Sequence, residues 1–147
     1  MMNNDIEGKL LKHKDQCKVK VRFNDTDMMG IVHFKNYMVY FDDGFVSFMN
    51  SLLNPKRVEE TVQEGTAFGI KSVNIVYEGS VRFGDFVIVE TRIKKIGTTS
   101  LTFLHDLFRE VDNKLIAKVE CVRIAMEVNK NKLVDIREFF SKYLKSN

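Results

Sequence analysis

Between residues 35 and 52 the chain carries Tyr37, Tyr40, Phe41, Phe45, Phe48, Met49 and Leu52 at spacings of three and four. That is the period of a helix, and the apolar positions extend over much of its surface. A sheet that curls around such a helix buries it better than a flat one. Gly44 falls in the middle, where glycine costs about 1 kcal/mol against alanine. A glycine kept at that cost points to a neighbour packed at close range. Asn36 stands where it can cap the helix, and Asn54-Pro55 stops it.

The rest of the sequence supplies the sheet. Residues 17–23 alternate, with Val19, Val21 and Phe23 on one face and Lys18, Lys20 and Arg22 on the other, as in a half-buried strand. A polar loop, NDTDMMG, leads from it to the helix. After a polar stretch around 56–66 come four extended segments, about 69–79, 85–97, 99–111 and 115–128. Gly84-Asp85, Gly97-Thr98 and Asp112-Asn113 are turn signals between them. The spacing calls for long antiparallel hairpins. A short amphipathic helix over 136–144 closes the chain. Strand, loop, buried helix, then four strands is an α+β order. With 147 residues and no Gly/Ser/Pro-rich linker, one domain over 1–147 is expected.

Composition narrows the function classes. Hydrophobic residues are 44% and charged residues 29%, the balance of a folded chain. Twelve Phe against no Trp make Phe a principal core filler. A net charge of +3 is too small to argue for nucleic acid. Lys9, Lys12, Lys14, Lys18, Lys20 and Arg22 cluster early, which reads as a solvated strand face with a frayed approach, and also suits attraction of a phosphate-bearing ligand. Cys17 and Cys121 form no metal or C-x-x-C spacing, so free thiols in a reducing compartment are expected. The opening stretch is polar, without a signal-peptide pattern, and no run nears the ~20 apolar residues of a bilayer span. The expectation is a cytoplasmic protein without stable membrane insertion.

Residues 21–41, VRFNDTDMMGIVHFKNYMVYF, resemble the 4-hydroxybenzoyl-CoA thioesterase family of hotdog proteins, including the bacterial group associated with the Tol-Pal system. The matching positions are Asp25, Thr26, Asp27, Gly30, Ile31, Val32, Asn36 and Tyr37. The similarity continues through VNIVYEGSVRFGDFVIVETRIKKIGTTSLTF and spans about residues 17–137. It implies a hotdog fold, a five-stranded antiparallel sheet wrapped around the central helix. It also implies a homodimer or homotetramer with the acyl-CoA site at the dimer interface, and hydrolysis of the thioester to free acid and CoA. No cofactor or metal is needed; CoA enters as part of the substrate.

The resemblance assigns residues. Asp27 matches the catalytic carboxylate, as nucleophile or as general base on water. The oxyanion donor is the backbone N–H of Phe34, at a helix N-terminus whose N–H groups lack partners. Gly30 lets the loop turn and brings backbone close to the pantetheine arm. His33 departs from one subgroup, whose members carry His one position later; it stands as a lesser candidate for acid–base work. Phe45 departs as well, because many relatives have Arg there after a Glu matched here by Asp42, so pairing around Asp42–Asp43 should differ. Arg82, Lys94 and Lys95 are candidates for the CoA phosphates. Thr99, with Thr98 and Ser100, is a candidate for the acyl or pantetheine path, and Tyr37, Phe41, Met28 and Met29 for an apolar acyl pocket.

The hydratase His-Asp or H-F-P motifs and the H-G-G segment of another thioesterase clade are missing. An acyl-carrier-protein thioesterase and a non-catalytic acyl-CoA-binding module remain as alternatives.

Overall fold

The computed structural model describes residues 2–144, with side chains from residue 5 onward; Met1 and residues 145–147 of the expected 1–147 domain lie outside the described residues. The elements are α1 (Met2–Lys12), β1 (Lys14–Lys20), α2 (Tyr37–Leu52), α3 (Val58–Gln63), β2 (Thr66–Tyr77), β3 (Phe86–Ile96), β4 (Ser100–Arg109), β5 (Lys114–Glu127), β6 (Lys132–Leu133) and α4 (Ile136–Tyr143).

The five long strands run in the order β1-β3-β4-β5-β2, every neighbouring pair antiparallel, with β6 a two-residue addition on β5. Period-2 alternation aims one row of each strand at α2. Val87, Val89, Thr91 and Ile93 do so from β3; Leu101, Phe103, His105 and Leu107 from β4; Ala117, Val119, Cys121, Arg123 and Ala125 from β5. The helix buries Tyr37, Tyr40, Phe41, Gly44, Phe45, Phe48, Met49 and Leu52. This is the expected α+β hotdog arrangement. Gly44 marks the closest approach: a Cβ built there would fall 2.6 Å from Val89 Cγ1 and 3.0 Å from Thr91 Oγ1.

The core has two parts. One lies under the start of α2 and includes Val21, Val32, Tyr37, Tyr40, Phe41, Val87 and Val89. The other lies under its end, where α1 adds Ile6 and Leu10 and α4 adds Ile136, Phe139, Phe140 and Tyr143. Asp135 caps α4 by accepting from the Arg137 and Glu138 N–H groups.

Three expectations need correction. The N-terminal approach to the sheet is the helix α1, not a frayed segment; its Ile6 and Leu10 make one apolar contact line, too short to stand out among lysines. The first strand is Lys14–Lys20, not 17–23. Val21 still bonds to Asp85 through its N–H, but Phe23 turns away into a single 3-10 turn and is 72% exposed. The polar stretch around 56–66 contains α3, which buries Val58 and Thr61.

Candidate active site

The loop between β1 and α2 folds into a small hairpin. Thr26 pairs with Val32, the Asp27 N–H donates to the Ile31 carbonyl at 2.9 Å, and the His33 N–H donates to the Asp25 carbonyl at 2.9 Å. The tip is an Asx turn: Asp27 Oδ1 accepts from the Met29 N–H at 2.8 Å, and the Gly30 N–H donates to the Asp27 carbonyl. Gly30 has φ 78°, a left-handed conformation that glycine adopts without penalty. The far side of the hairpin is held by the turn before β3, through the Val32 N–H to the Val81 carbonyl and a bridge between Ile31 and Arg82.

The sequence therefore presents a half-buried Asp27 carboxylate in a tight turn. Oδ1 is engaged by Met29, and Oδ2 has no hydrogen-bond partner among the described residues. Three residues beyond Ile31 the helical stretch begins, as a 3-10 turn (Phe34–Asn36) that runs into α2. Among the described residues the Phe34 N–H has no acceptor. It is one of the unpaired donors at a helix start, where the dipole is positive. One hairpin thus carries a carboxylate at its tip and an open N–H at its foot.

His33 sits between them as a cap. Its Nδ1 accepts from the Lys35 N–H at 3.3 Å, which leaves the proton of a neutral ring on Nε2, and the ring stacks on Phe34 at 4.6 Å. Tyr37 is only 3% exposed, edge-on to Tyr40 and Tyr77, and its ring packs behind the hairpin. Phe41 is likewise fully in the core, whereas Met28, Met29 and Phe34 are exposed at the hairpin. The Tyr77 hydroxyl donates to the Phe34 carbonyl at 3.0 Å, which ties the end of β2 to the start of the helix.

The basic candidates separate into two places. The Arg82 guanidinium adjoins Gly30, with Nη1 4.0 Å from where a Cβ would stand, and it makes no hydrogen bond among the described residues. Lys94, Lys95 and Thr99 lie at the other end of β3, roughly 30 Å away at about 3.3 Å per residue. Lys94 is paired there with Glu120 at 2.9 Å. One protomer does not bring them to Asp27. A cavity of about 450 Å³ lies on the outer face of the sheet, between Lys14, Gln16, Glu90, Arg92, Leu104 and Asp106. It is across the sheet from α2 and holds none of the hairpin residues. Among the described residues no group of three or more His, Cys, Asp or Glu is arranged to hold a metal, and no helix is long and apolar enough to cross a membrane.

Two features escaped the sequence reading. Asp25 appeared there only as a motif position; it is 4% exposed and binds Tyr40 and Arg22. Arg123, in the apolar row of β5, reaches Asp42 on α2 at 2.6 Å and lies 3.9 Å over the Phe45 ring. The altered pairing expected around Asp42 is thus an arginine supplied by the sheet.

A curled antiparallel sheet around one long central helix is the hotdog fold. The sequence profile of the thioesterase-like superfamily matches residues 21–144, and the chain belongs to that superfamily. Acyl-CoA thioesterase YbgC from Haemophilus influenzae is 26% identical over 106 residues, 71% of this chain and 77% of that protein. Acyl-CoA thioester hydrolase YbgC from Escherichia coli is 22% identical over 114 residues, 78% of this chain and 83% of that protein. The crystal structure of DHNA-CoA thioesterase from Staphylococcus aureus superimposes with a TM-score of 0.80 at 18% identity, covering 88% of this chain and 85% of that one.

Proposed function

We propose that the chain, acting as one domain, hydrolyses the thioester of acyl-CoA to the free acid and CoA, as a member of the 4-hydroxybenzoyl-CoA thioesterase branch of its superfamily. The observation that carries this reading is the hairpin: a carboxylate with one free oxygen, joined to a helix start with an open N–H. The Phe34 N–H receives the thioester oxygen as negative charge develops on it; a preorganised donor of this kind lowers a barrier by about 3–4 kcal/mol. Asp27 then acts in one of two ways. As nucleophile, its free oxygen adds to the carbonyl carbon, the C–S bond breaks, CoA leaves as thiolate, and water cleaves the resulting anhydride. As base, it takes a proton from water while the oxygen of that water adds to the carbonyl and the thiolate departs.

Arg82 meets the pantetheine or phosphate groups from the same protomer, a role supported by its guanidinium lying beside Gly30. Lys94, Lys95 and Thr99 serve the site only where a partner brings their end of the sheet to it. Gly30 keeps the turn open toward substrate. His33 caps the helix start in this reading and carries no proton-transfer step. The functional unit is a cytoplasmic homodimer or homotetramer, with no cofactor beyond the CoA of substrate and product.

The test is thiol release from short, long and aromatic acyl-CoAs by wild type and Asp27→Asn. The amide oxygen of asparagine still accepts from the Met29 N–H, so the turn survives while the base or nucleophile is lost. Wild-type turnover should fall by about 10²–10⁴-fold in the variant. Equal turnover would remove Asp27 from the chemistry. Wild-type turnover confined to acyl-carrier-protein thioesters would move the substrate to that carrier, and binding of acyl-CoA without turnover on either carrier would make the chain a binding module.

A further inference from the structure

Asp25 touches both strands of the site hairpin and the helix behind it. Its Oδ2 accepts from the Tyr40 hydroxyl at 2.8 Å and from the Arg22 N–H at 3.0 Å, and Oδ1 accepts from Arg22 Nη2 at 3.2 Å. Its carbonyl accepts from the His33 N–H and from Asn36 Nδ2, each at 2.9 Å. Burial pushes the Asp25 carboxyl up, but the bonds from Arg22 and Tyr40 outweigh it, so the net direction is down and the group is ionised. Burial, then the bond to Asp25, pushes Tyr40 up, so its hydroxyl stays a donor.

Asp27 follows Asp25 by two residues, and Phe34 follows His33 directly. Anything that shifts Asp25 shifts the carboxylate and the open N–H against each other. We propose that Asp25 and Tyr40 are positioning residues: Tyr40, on the first turn of α2, pins the Asp25 carboxylate to the helix, and the Asp25 carbonyl pins the foot of the hairpin, which fixes the relation between Asp27 and the Phe34 N–H. This rests on the roles given to those two groups above. A displacement of 1 Å at such a site lowers rate by about 10²-fold.

Three variants test it. Tyr40→Phe keeps the ring and removes the hydroxyl. Asp25→Ala removes the acceptor, and Asp25→Asn keeps an oxygen for Tyr40. On the best acyl-CoA, kcat should fall at least ~10-fold in Tyr40→Phe and about 10²-fold in Asp25→Ala, with KM nearly unchanged, and Asp25→Asn should recover most of the loss. A second readout needs no turnover: amide hydrogen exchange at His33 should quicken at least ~10-fold in Tyr40→Phe while the amides of β3 and the end of α2 stay as in wild type. Wild-type kcat in folded Tyr40→Phe, or a loss expressed in KM alone, overturns the proposal, as does unchanged exchange at His33. Should Asp25→Ala fail to fold, Tyr40→Phe decides. Should wild type cleave no acyl-CoA, the reading of the site falls, and exchange at His33 still decides whether the anchor exists.

Discussion

His105 is fully buried on β4, its ring stacked on Phe41 and Phe103 and its Nδ1 2.8 Å from Thr91 Oγ1; Nε2 has no partner among the described residues. Burial, and secondarily the Arg123 guanidinium, lowers its pKa from 6.5 to about 3. Below pH 6.5 the unfolded chain takes up a proton that the folded chain refuses. This contribution to stability is therefore complete above pH 6.5 and is lost progressively toward pH 3. At about 1.4 kcal/mol per pH unit, about 2 kcal/mol is gone by pH 5. Urea titrations at pH 7.5 and pH 5 should show that loss in wild type and not in the double variant Thr91→Val, His105→Phe, which removes the ring together with its hydroxyl partner. The same pH dependence in both would mean that the imidazole charges without unfolding. Nearby, Arg123 is 4% exposed at its side chain against 55% for Asp42. Asp42→Ala leaves a guanidinium buried without its carboxylate. The expected loss is about 2 kcal/mol, below the 3–5 kcal/mol of a fully buried pair because water reaches the Asp42 side. Arg123→Met should stay within about 1 kcal/mol of wild type, and equal losses in the two variants would contradict this account. Asp27, Gly30 and Phe34 could be singled out from the sequence as candidates because they share one short loop, which folds as a hairpin. The pairs Asp25–Tyr40 and Asp42–Arg123 were not, because they join residues 15 and 81 positions apart that no local pattern links.

Along the elements, Gly44 shows how a helix and a strand set each other's side chains. Alanine there would gain about 1 kcal/mol in helix propensity. Its methyl group would enter at 2.6 Å from Val89 Cγ1, on a β-branched side chain with little freedom to turn inside a paired strand. Overpacking of this kind costs about 1–3 kcal/mol, so Gly44→Ala should lower Tm, and a raised Tm would show that α2 and β3 can separate without loss. The central helix and strands β2 to β5 were readable to within three residues, since each is long and bounded by a turn signal. What was not readable has a common cause. Among the described side chains of α1 and α3 only two each are buried, Ile6 with Leu10 and Val58 with Thr61, and so few carry no period among charged neighbours. Phe23 continues the alternation of β1 in sequence, but the backbone leaves the sheet at Lys20 to build the hairpin, and the pattern runs on past the strand. The hairpin interrupts periodicity at that point.

At the scale of the whole molecule the two edges of the sheet differ. On β1 the exposed residues are Lys14, Gln16, Lys18 and Lys20, a charged row that discourages pairing with another strand. On β2, twelve residues long, Lys71 is the one charge, and Ile70, Val76 and Tyr77 are 49%, 47% and 44% exposed. A long apolar edge is a site of strand pairing or a liability, and folded proteins seldom leave one bare. In the homodimer proposed above, a second copy would satisfy it by two-fold symmetry, β2 beside β2 in antiparallel register, because the same patch would then meet itself. The bond from Tyr77 at the end of β2 to the Phe34 carbonyl makes this edge continuous with the site, so pairing and turnover should fail together. Replacing Ile70 and Val76 by lysine gives β2 the charge that β1 already has. In light scattering behind size exclusion, wild type should have twice the mass of the double variant, whose circular dichroism should stay that of a folded chain and whose acyl-CoA turnover should drop at least ~10-fold as the Phe34 N–H loses its fixed surroundings. A wild type that runs as a single chain, or a variant that stays paired and fully active, would place the contact elsewhere.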